Sequence, residues 1–328
     1  MTAVDRELSL PVAREDQSSQ TSGAGSARPR RPRLDWLGLA PFFLYVFLVF
    51  MLPIGFILFN AFRRTTQGKA VRNPVTQQFE HTSHTSFTGA NIAESLKGIY
   101  RTSLVTSVKL SLLVAVIAAI VGVLLAYAVV NSRSFILRQV VTAAAAVTAN
   151  FGGVPLAFLF IATIGNAGAL TTFLDGHFGF SLQSDGHFQL SAMSGIAVVY
   201  LYFLIPLMVL VMMPALEGLK PQWGEAAENL GASRWHYWRL VAGPVLLPNF
   251  LGSVLLLFCS SFSAYATAYA INSSFPIVTI RISSVLSGNV LSGQENLGAA
   301  LALDMIVIVL PLTVVYQLLQ RRTSKWLA

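Results

Sequence analysis

The first long apolar stretch of the chain decides its class. Residues Trp36–Phe62 read WLGLAPFFLYVFLVFMLPIGFILFNAF and carry no charged side chain over 27 positions. A helix needs about 20 apolar residues to cross the hydrocarbon core of a bilayer. The apolar segment of a cleaved signal peptide is shorter, at about 7–15 residues. We therefore predict a membrane-spanning helix here that is not removed.

The composition of the whole chain favours the same class. Of its 328 residues, 54% are hydrophobic and 11% are charged, whereas about 25% of an average soluble domain is charged. This composition excludes a disordered protein, a coiled coil and a disulfide scaffold, and it fits an ordinary soluble enzyme poorly. The formal net charge is +8, but the basic residues lie in tails and loops beside apolar runs. That distribution is typical of a membrane protein rather than of a nucleic-acid-binding protein.

Five further stretches with at most one charge follow the first. They are Leu110–Ser132, Gln139–Leu174, Phe188–Leu216, Leu240–Ile280 and Asn296–Gln320. The second and fourth of these are too long for one helix, so we shorten them at a Gly/Asn/Thr-rich segment after Ile164 and at Pro244 and Pro248. The sequence thus predicts an all-α membrane protein whose domain covers 35–322. Its six transmembrane helices are expected at about 36–62, 104–130, 140–164, 190–214, 249–271 and 298–320.

The distribution of Lys and Arg predicts the orientation of these helices. An even number of spans places both ends of the chain on one side, and that side carries 14 basic residues against 7 on the other. The positive-inside rule then places both termini in the cytoplasm, although six basic residues in the first outer connection weaken the bias. Residues 1–34 are expected to form a disordered cytoplasmic tail because they contain little apolar surface. Residues 323–328 form a second cytoplasmic tail.

The connection between the fourth and fifth spans, residues 217–248, differs from the other connections. Its pattern predicts two short helices, of which the first begins after Pro221 and ends near Leu230. Gly231 fits the left-handed residue that commonly ends a helix. Ser233 can cap the second helix with its hydroxyl. A loop with this much local order on the basic side is typical of a segment that binds a partner.

Residue sizes indicate which face of the loop meets that partner. Ala226 and Ala227 form a small face that another backbone can approach closely, and Glu225 adds one oriented charge beside it. Trp235 begins a group of aromatic rings in the second helix. Such rings suit a membrane interface, and they could equally pack the loop against the spans.

These residues resemble a known family. The segments Glu225-Ala-Ala, Gly231-Ala-Ser, Trp235 and Pro244-Val-Leu-Leu-Pro248 are similar to the EAA motif, and they extend over 24 residues without a gap. That motif marks the inner-membrane permease subunits of binding-protein-dependent ABC importers. Gly243 departs from the motif, because a larger apolar residue is common at its position. We refer to residues 217–248 as the EAA loop.

The resemblance implies a mechanism and a set of partners. In that family the loop is a coupling helix that docks into a cytoplasmic ABC ATPase subunit, so that closure of two ATPase subunits on ATP rocks the transmembrane helices. A second permease subunit and an extracytoplasmic solute-binding protein complete the importer in the bacterial inner membrane. The resemblance implies no cofactor. The docking residues it implies are Glu225, Ala226, Ala227 and Gly231, supported by Leu230, Ala232, Ser233 and Trp235.

The solute is predicted from a second, less specific resemblance. The segments Phe275–Arg281 and Leu286–Glu295 look similar to permeases grouped with polyamine and phosphonate importers. They look less like the sugar permeases. This similarity predicts a polyamine or a phosphonate-like solute.

Two places in the spans are candidates for the translocation path. Asn150, Gly152 and Gly153 precede Pro155, and backbone groups freed in a membrane are tolerated where protein or water satisfies them. The segment either lines the path or forms a kink between packed helices. Asp304 is the only charge in the last span, and an acid inside a membrane is a functional candidate by default. It faces the path or lies at the outer interface.

No residues of the sequence form a catalytic or metal-binding pattern. The phosphate-binding loop G-x-x-x-x-G-K-[ST] is absent, so we expect no ATPase site in this chain. One cysteine, Cys259, cannot build a cysteine metal site. The alternative hypothesis is an ATP-independent secondary transporter or channel. Such proteins place several ionisable groups along the path, and only Asp304 and Lys109 qualify.

Overall fold

The computed structural model describes residues 35–72, 79–179, 183, 188–288 and 296–324. The predicted tail 1–34 lies outside these residues, as do 325–328 and most of the segment 286–295. The chain divides into two compact units, Met1–Leu52 and Pro53–Ala328. In its described part, the first unit consists of the apolar helix α1, Asp35–Ala61, as far as Leu52.

The second unit contains the remaining helices and a hairpin. Its elements are β1 (Arg63–Arg72), β2 (Phe79–Phe87), α2 (Ala90–Ser95), α3 (Gly98–Val130), α4 (Phe135–Asn150), α5 (Val154–Ile164), α6 (Ala169–Phe178), α7 (Met193–Glu217), α8 (Pro221–Asn229), α9 (Arg234–Tyr237), a π-helix (Trp238–Ala242), α10 (Gly243–Ser263), α11 (Ala266–Ile271), α12 (Val278–Leu286) and α13 (Leu297–Ser324). Within the residues that the structure describes, six helical segments are long and apolar enough to cross a membrane. The predicted class and the number of spans are therefore confirmed.

The core of the second unit lies where α3, α7 and α10 pack together. On α3, small residues allow this close approach. They are Ala115, Ala118, Ala119 and Gly122. A Cβ atom added to Gly122 would lie only 2.5 Å from the Cβ atom of Met208 on α7. Helices in membranes associate through such close van der Waals contacts, because lipid offers apolar side chains no hydrophobic advantage for association.

The first connection contains a hairpin that the sequence did not predict. β1 and β2 are antiparallel, with Arg63 opposite Phe87 and Arg72 opposite Phe79. The side-chain amide of Asn91 donates a 2.9 Å hydrogen bond to the carbonyl of Arg63, and the amide of Asn296 donates one of 2.7 Å to the same oxygen. These two bonds attach the base of the hairpin to α2 and to the beginning of α13.

The prediction of a continuous third span at 140–164 is wrong. α4 ends at Asn150 and α5 begins at Val154, with Gly153 between them at φ 78°. Pro155 stands in the first turn of α5, where its missing N–H costs no hydrogen bond. The candidate span is instead Val154–Phe178. It includes α6, which forms in the Gly/Asn/Thr-rich segment predicted to be a loop.

The prediction of a fifth span at 249–271 is also wrong. The helical run begins at Arg234, continues through the π-helix and ends at Ser263, so Ala264 and Tyr265 interrupt the predicted helix. Pro244 lies in the first turn of α10, inside this run. The preceding π-helix brings the N–H of Gly243 to the carbonyl of Trp238. A Cβ atom at position 243 would lie 2.6 Å from that oxygen, which explains the glycine at this position.

The other spans differ from the prediction mainly at their ends. α3 begins at Gly98 rather than near 104, so the exposed Lys109 lies within the helix and not at its first turn. α7 lies three residues later than the predicted 190–214. α13 continues to Ser324, into the predicted tail 323–328. Helix ends are set by hydrogen bonds and caps, which hydropathy does not report.

Candidate functional site: the EAA loop

Helix α8 forms the surface of the EAA loop. It begins at Pro221, whose ring fits the first helical turn. None of its residues is buried. Glu225 and Ala226 are exposed, and Ala227 is half-buried. A helix that buries none of its residues gains little from the rest of the chain, so its position depends on its ends.

The C-terminal end of α8 is held by a Schellman motif. The N–H of Ala232 donates to the carbonyl of Ala227 at 2.9 Å, and the N–H of Gly231 donates to the carbonyl of Glu228 at 2.9 Å. Gly231 has φ 74°, a conformation that other residues adopt only at a cost. The predicted helix stop at Gly231 is confirmed.

The second helix of the loop begins at the predicted cap. The hydroxyl of Ser233 accepts a hydrogen bond from the N–H of His236 at 3.4 Å, and it lies 2.9 Å from Nδ1 of the same residue. α9 then continues directly through the π-helix into α10. The two short helices of the loop are thus a free-standing helix, α8, and the first turns of a long helix.

Three large apolar side chains of the loop are more than 60% exposed. Leu230 is 87% exposed, Trp235 71% and Leu240 67%. The sequence predicted Leu230 and Trp235 to support the docking surface, but the structure places both side chains on the outside. Apolar side chains exposed together are typical of a surface that binds another protein.

An open apolar cleft of ≈ 360 Å³ lies between α8 and the helix that follows. It is lined by Trp223, Ala226, Ala227, Leu230, Val241 and Val245. The small side chains of Ala226 and Ala227 leave room for a side chain of a partner. Glu225 directly precedes Ala226 in α8. The helix therefore carries an acidic group next to residues that line the apolar cleft.

The opposite side of the loop faces the ends of α3, α4 and α7 across a larger polar cleft. The ring of Trp238 contacts that of Tyr127 on α3 edge-to-face, with 5.3 Å between the ring centroids. Nearby, Arg138 at the beginning of α4 forms an ion pair with Glu217 at the end of α7. The EAA loop is therefore attached to the transmembrane helices through Trp238, while α8 remains accessible.

Three of the path candidates lie at the break between α4 and α5, and the fourth, Asp304, lies on α13. Asn150 is exposed and donates to the carbonyl of Ala146 in its own helix at 2.8 Å. Gly152 and Gly153 are half-buried, and Gly153 contacts α11. Asp304 is 9% exposed, lies against Ser95 and belongs to α13. Its Oδ2 atom has no hydrogen-bond partner among the described residues.

Residues 118–325 match the family described as "Binding-protein-dependent transport system inner membrane component". This match covers more than half of the chain. The chain belongs to this family. It is therefore an inner-membrane component of a binding-protein-dependent transport system, with six candidate membrane spans among its described residues.

Similar permeases are named for inorganic ions. The chain is 26% identical to the ferric transport system permease protein FbpB of Actinobacillus pleuropneumoniae over 147 residues, 44% of this chain and 21% of the relative. It is 41% identical to the sulfate transport system permease protein CysT of Escherichia coli (strain K12) over 71 residues, 22% of this chain and 26% of the relative. It is 29% identical to the molybdenum transport system permease protein ModB of that strain over 123 residues, 38% of this chain and 51% of the relative. The matched part of FbpB is thus about a fifth of that relative's length.

The fold is similar to that of a solved importer. A chain of the bacterial ABC transporter involved in the import of the acidic polysaccharide alginate superposes with a TM-score of 0.64 and 16% identity, covering 88% of this permease and 96% of that chain. The alginate transporter in complex with its alginate pentasaccharide-bound periplasmic protein gives a TM-score of 0.63 at 14% identity, covering 89% and 95%. At these identities the likeness concerns the fold.

Proposed function

We propose that this permease forms the path for a small hydrophilic solute and is driven by a separate cytoplasmic ATPase that binds the EAA loop. The observation that carries the proposal is the exposure of α8, which buries none of its residues in this chain. A free-standing helix with an apolar cleft and a neighbouring acid needs a partner to bury it.

The docking surface in this proposal is broader than the motif alone implies. Glu225, Ala226 and Gly231 contribute the acid and the close backbone approach. Leu230 and Trp235 contribute exposed apolar area, and such side chains often supply most of the affinity of an interface. Ala227 lines the apolar cleft together with Ala226, while Ala232 and Ser233 hold the loop in shape through the hydrogen bonds at the end of α8 and the beginning of α9.

The remaining parts of the proposal are the partners and the orientation that the EAA motif and the charge distribution imply. A second permease subunit faces this one across the solute path, and an extracytoplasmic binding protein delivers the solute. Both termini lie in the cytoplasm, on the side of the EAA loop. Lipid surrounds the apolar faces of the candidate spans, whose exposed side chains are largely hydrophobic.

We further propose that the solute is an inorganic ion. The relatives described above are named for ferric iron, sulfate and molybdenum. None of these names supports the predicted polyamine or phosphonate-like solute. Uptake of radiolabelled sulfate, molybdate and ferric iron by cells with and without the intact gene, with a polyamine and a phosphonate for comparison, tests the choice. Uptake of only an organic solute would contradict it.

Co-purification with the ATPase tests the coupling. The variant Glu225→Lys reverses the charge on the exposed face of α8, so we expect loss of ATPase binding and of uptake. Glu228→Lys makes the same charge change in a residue that lines the polar cleft on the other side of α8, and it should retain binding. A wild-type permease that transports without an ATPase would instead support the ATP-independent alternative.

A further inference from the structure

Two broken helices meet in the second unit. Residues Phe151–Gly153 separate α4 from α5, and Ala264 and Tyr265 separate α10 from α11. α5 packs on α11. A Cβ atom added to Gly153 would lie 4.0 Å from the Cβ atom of Ala266. The two interruptions are therefore neighbours in space.

A single hydroxyl joins the two interruptions. The N–H of Gly153 donates to Oγ1 of Thr267 at 2.9 Å, and the same hydroxyl donates to the carbonyl of Gly153 at 3.1 Å. Thr267 is only 3% exposed. Backbone groups freed by a helix break inside a membrane need such partners, because lipid offers none. Thr267 thus satisfies the freed N–H of Gly153, and it is a second donor to the Gly153 carbonyl, which also accepts the N–H of Ala157 at 3.2 Å.

The other break is attached to two more helices. The carbonyl of Ala264 accepts hydrogen bonds from the hydroxyl of Tyr200 on α7 at 3.1 Å and from the hydroxyl of Thr279 on α12 at 3.2 Å. The hydroxyl groups of Tyr265 and Ser283 are 2.9 Å apart. The break after α10 is therefore held in a defined geometry by hydrogen bonds and is not an irregular turn.

The break after α10 lies at the far end of the helix that begins in the EAA loop. The run Arg234–Ser263 contains 30 residues, which at 1.5 Å per residue gives a length of roughly 45 Å. Its first residue follows the cap Ser233, and its last precedes Ala264. The run contains the π-helix and Pro248, which lacks an N–H, yet it is helical from Arg234 to Ser263 without a gap, so a displacement of the loop is transmitted along it.

We propose that Thr267 is a positioning residue for transport, because its hydroxyl links the break before α5 to the far end of the helix that carries the EAA loop. When the loop moves with the ATPase, the link makes α5 move with it. The inference rests on the proposed function, since it requires an ATPase that moves the EAA loop.

Hydrogen-bonding variants of Thr267 test the link. Thr267→Val keeps the shape of the side chain but removes the hydroxyl, whereas Thr267→Ser keeps the hydroxyl. Thr163→Val is the matched control, because the Thr163 hydroxyl bonds only to carbonyls of its own helix, at 2.8 and 3.3 Å. The complete importer, with its ATPase and binding protein, is reconstituted in liposomes. Uptake and ATP hydrolysis are then measured together.

The expected result is a change in coupling. In Thr267→Val, the ratio of solute taken up to ATP hydrolysed falls about tenfold, the scale of one to two lost hydrogen bonds, while ATP hydrolysis stays near the wild-type rate. Thr267→Ser and Thr163→Val keep the wild-type ratio. If Thr267→Val does not assemble, Thr267→Cys replaces it, since a thiol is a weak hydrogen-bond donor, and a lowered ratio is again expected.

Three results would overturn the inference, and they differ from one another. A wild-type ratio in the assembled Val or Cys variant would show that the link does not matter, while the role of the EAA loop would stand. Equal losses of uptake and hydrolysis with a lower melting temperature would show a merely structural role. A wild-type importer whose uptake does not depend on ATP would refute the proposed function itself.

Discussion

The hydroxyl of Tyr200 donates a 3.1 Å hydrogen bond to the carbonyl of Ala264, the residue at which the helix from the EAA loop ends. Tyr200 is fully buried on α7, 64 residues earlier in the chain. A side chain of one span thus satisfies the backbone at the interruption of another. This arrangement explains how the chain tolerates a helix break where lipid or packed side chains surround it.

Removal of this hydroxyl should destabilise the permease moderately. We expect Tyr200→Phe to lower the free energy of unfolding by about 1 kcal/mol, because Thr279 still donates to the same carbonyl. Thermal unfolding in detergent measures the effect. Tyr202→Phe, on the same helix, is the control. The double variant of Tyr200→Phe with Thr279→Val should lose more than the sum of the single losses, and simple additivity would contradict a shared carbonyl.

The positive φ of Gly231 predicts a specific effect on ATPase binding. Gly231→Ala places a Cβ atom in the left-handed conformation at a cost of roughly 1–2 kcal/mol, which loosens the end of α8. We expect a lower affinity for the ATPase subunit in a titration of purified components. Gly224→Ala is the control, because no atom lies within 4 Å of its added Cβ and alanine favours a helix interior. Equal affinities for the two variants would argue against the role of the Schellman motif.

The buried hydroxyl of Ser107 on α3 accepts a 2.8 Å hydrogen bond from the N–H of Val278, at the beginning of α12. Ser107→Ala leaves this N–H without a partner, at a cost of about 1–3 kcal/mol. Hydrogen exchange should therefore become faster in α12. Ser263→Ala removes a hydroxyl that bonds only within its own helix, so it should leave α12 unchanged. Unaltered exchange in Ser107→Ala would mean that α12 does not depend on this bond.

The position of Asp304 predicts a small effect on transport. Because its side chain lies against Ser95 and is 9% exposed, we expect Asp304→Asn to keep uptake within about twofold of the wild type. The amide has the same size and removes any charge. Radiolabelled uptake by the reconstituted importer measures the effect of Asp304→Asn. Lys109→Met is the comparison, because it removes an exposed charge from a candidate span. Loss of uptake in Asp304→Asn alone would instead support the prediction that Asp304 belongs to the path.

Local interactions explain which features were predictable. The six spans follow from the absence of charge, because hydrocarbon excludes unpaired charges whatever the tertiary structure. The helix stop at Gly231 and the cap at Ser233 depend on neighbouring residues only, so the pattern of the EAA loop suffices to predict them. The exposure of Leu230 and Trp235 was not predictable, because the identity of an apolar residue does not tell whether another helix covers it.

The sequence alone determined the presence of six candidate membrane spans and of the EAA loop, since both depend on composition and on residues close together in the chain. Only the tertiary structure decided where the third and fifth spans break. Apolarity does not distinguish a continuous helix from an interrupted one, and the bonds that stabilise the interruptions come from distant residues. Thr267 and Gly153 are 114 positions apart, so their contact exists only once the helices have packed.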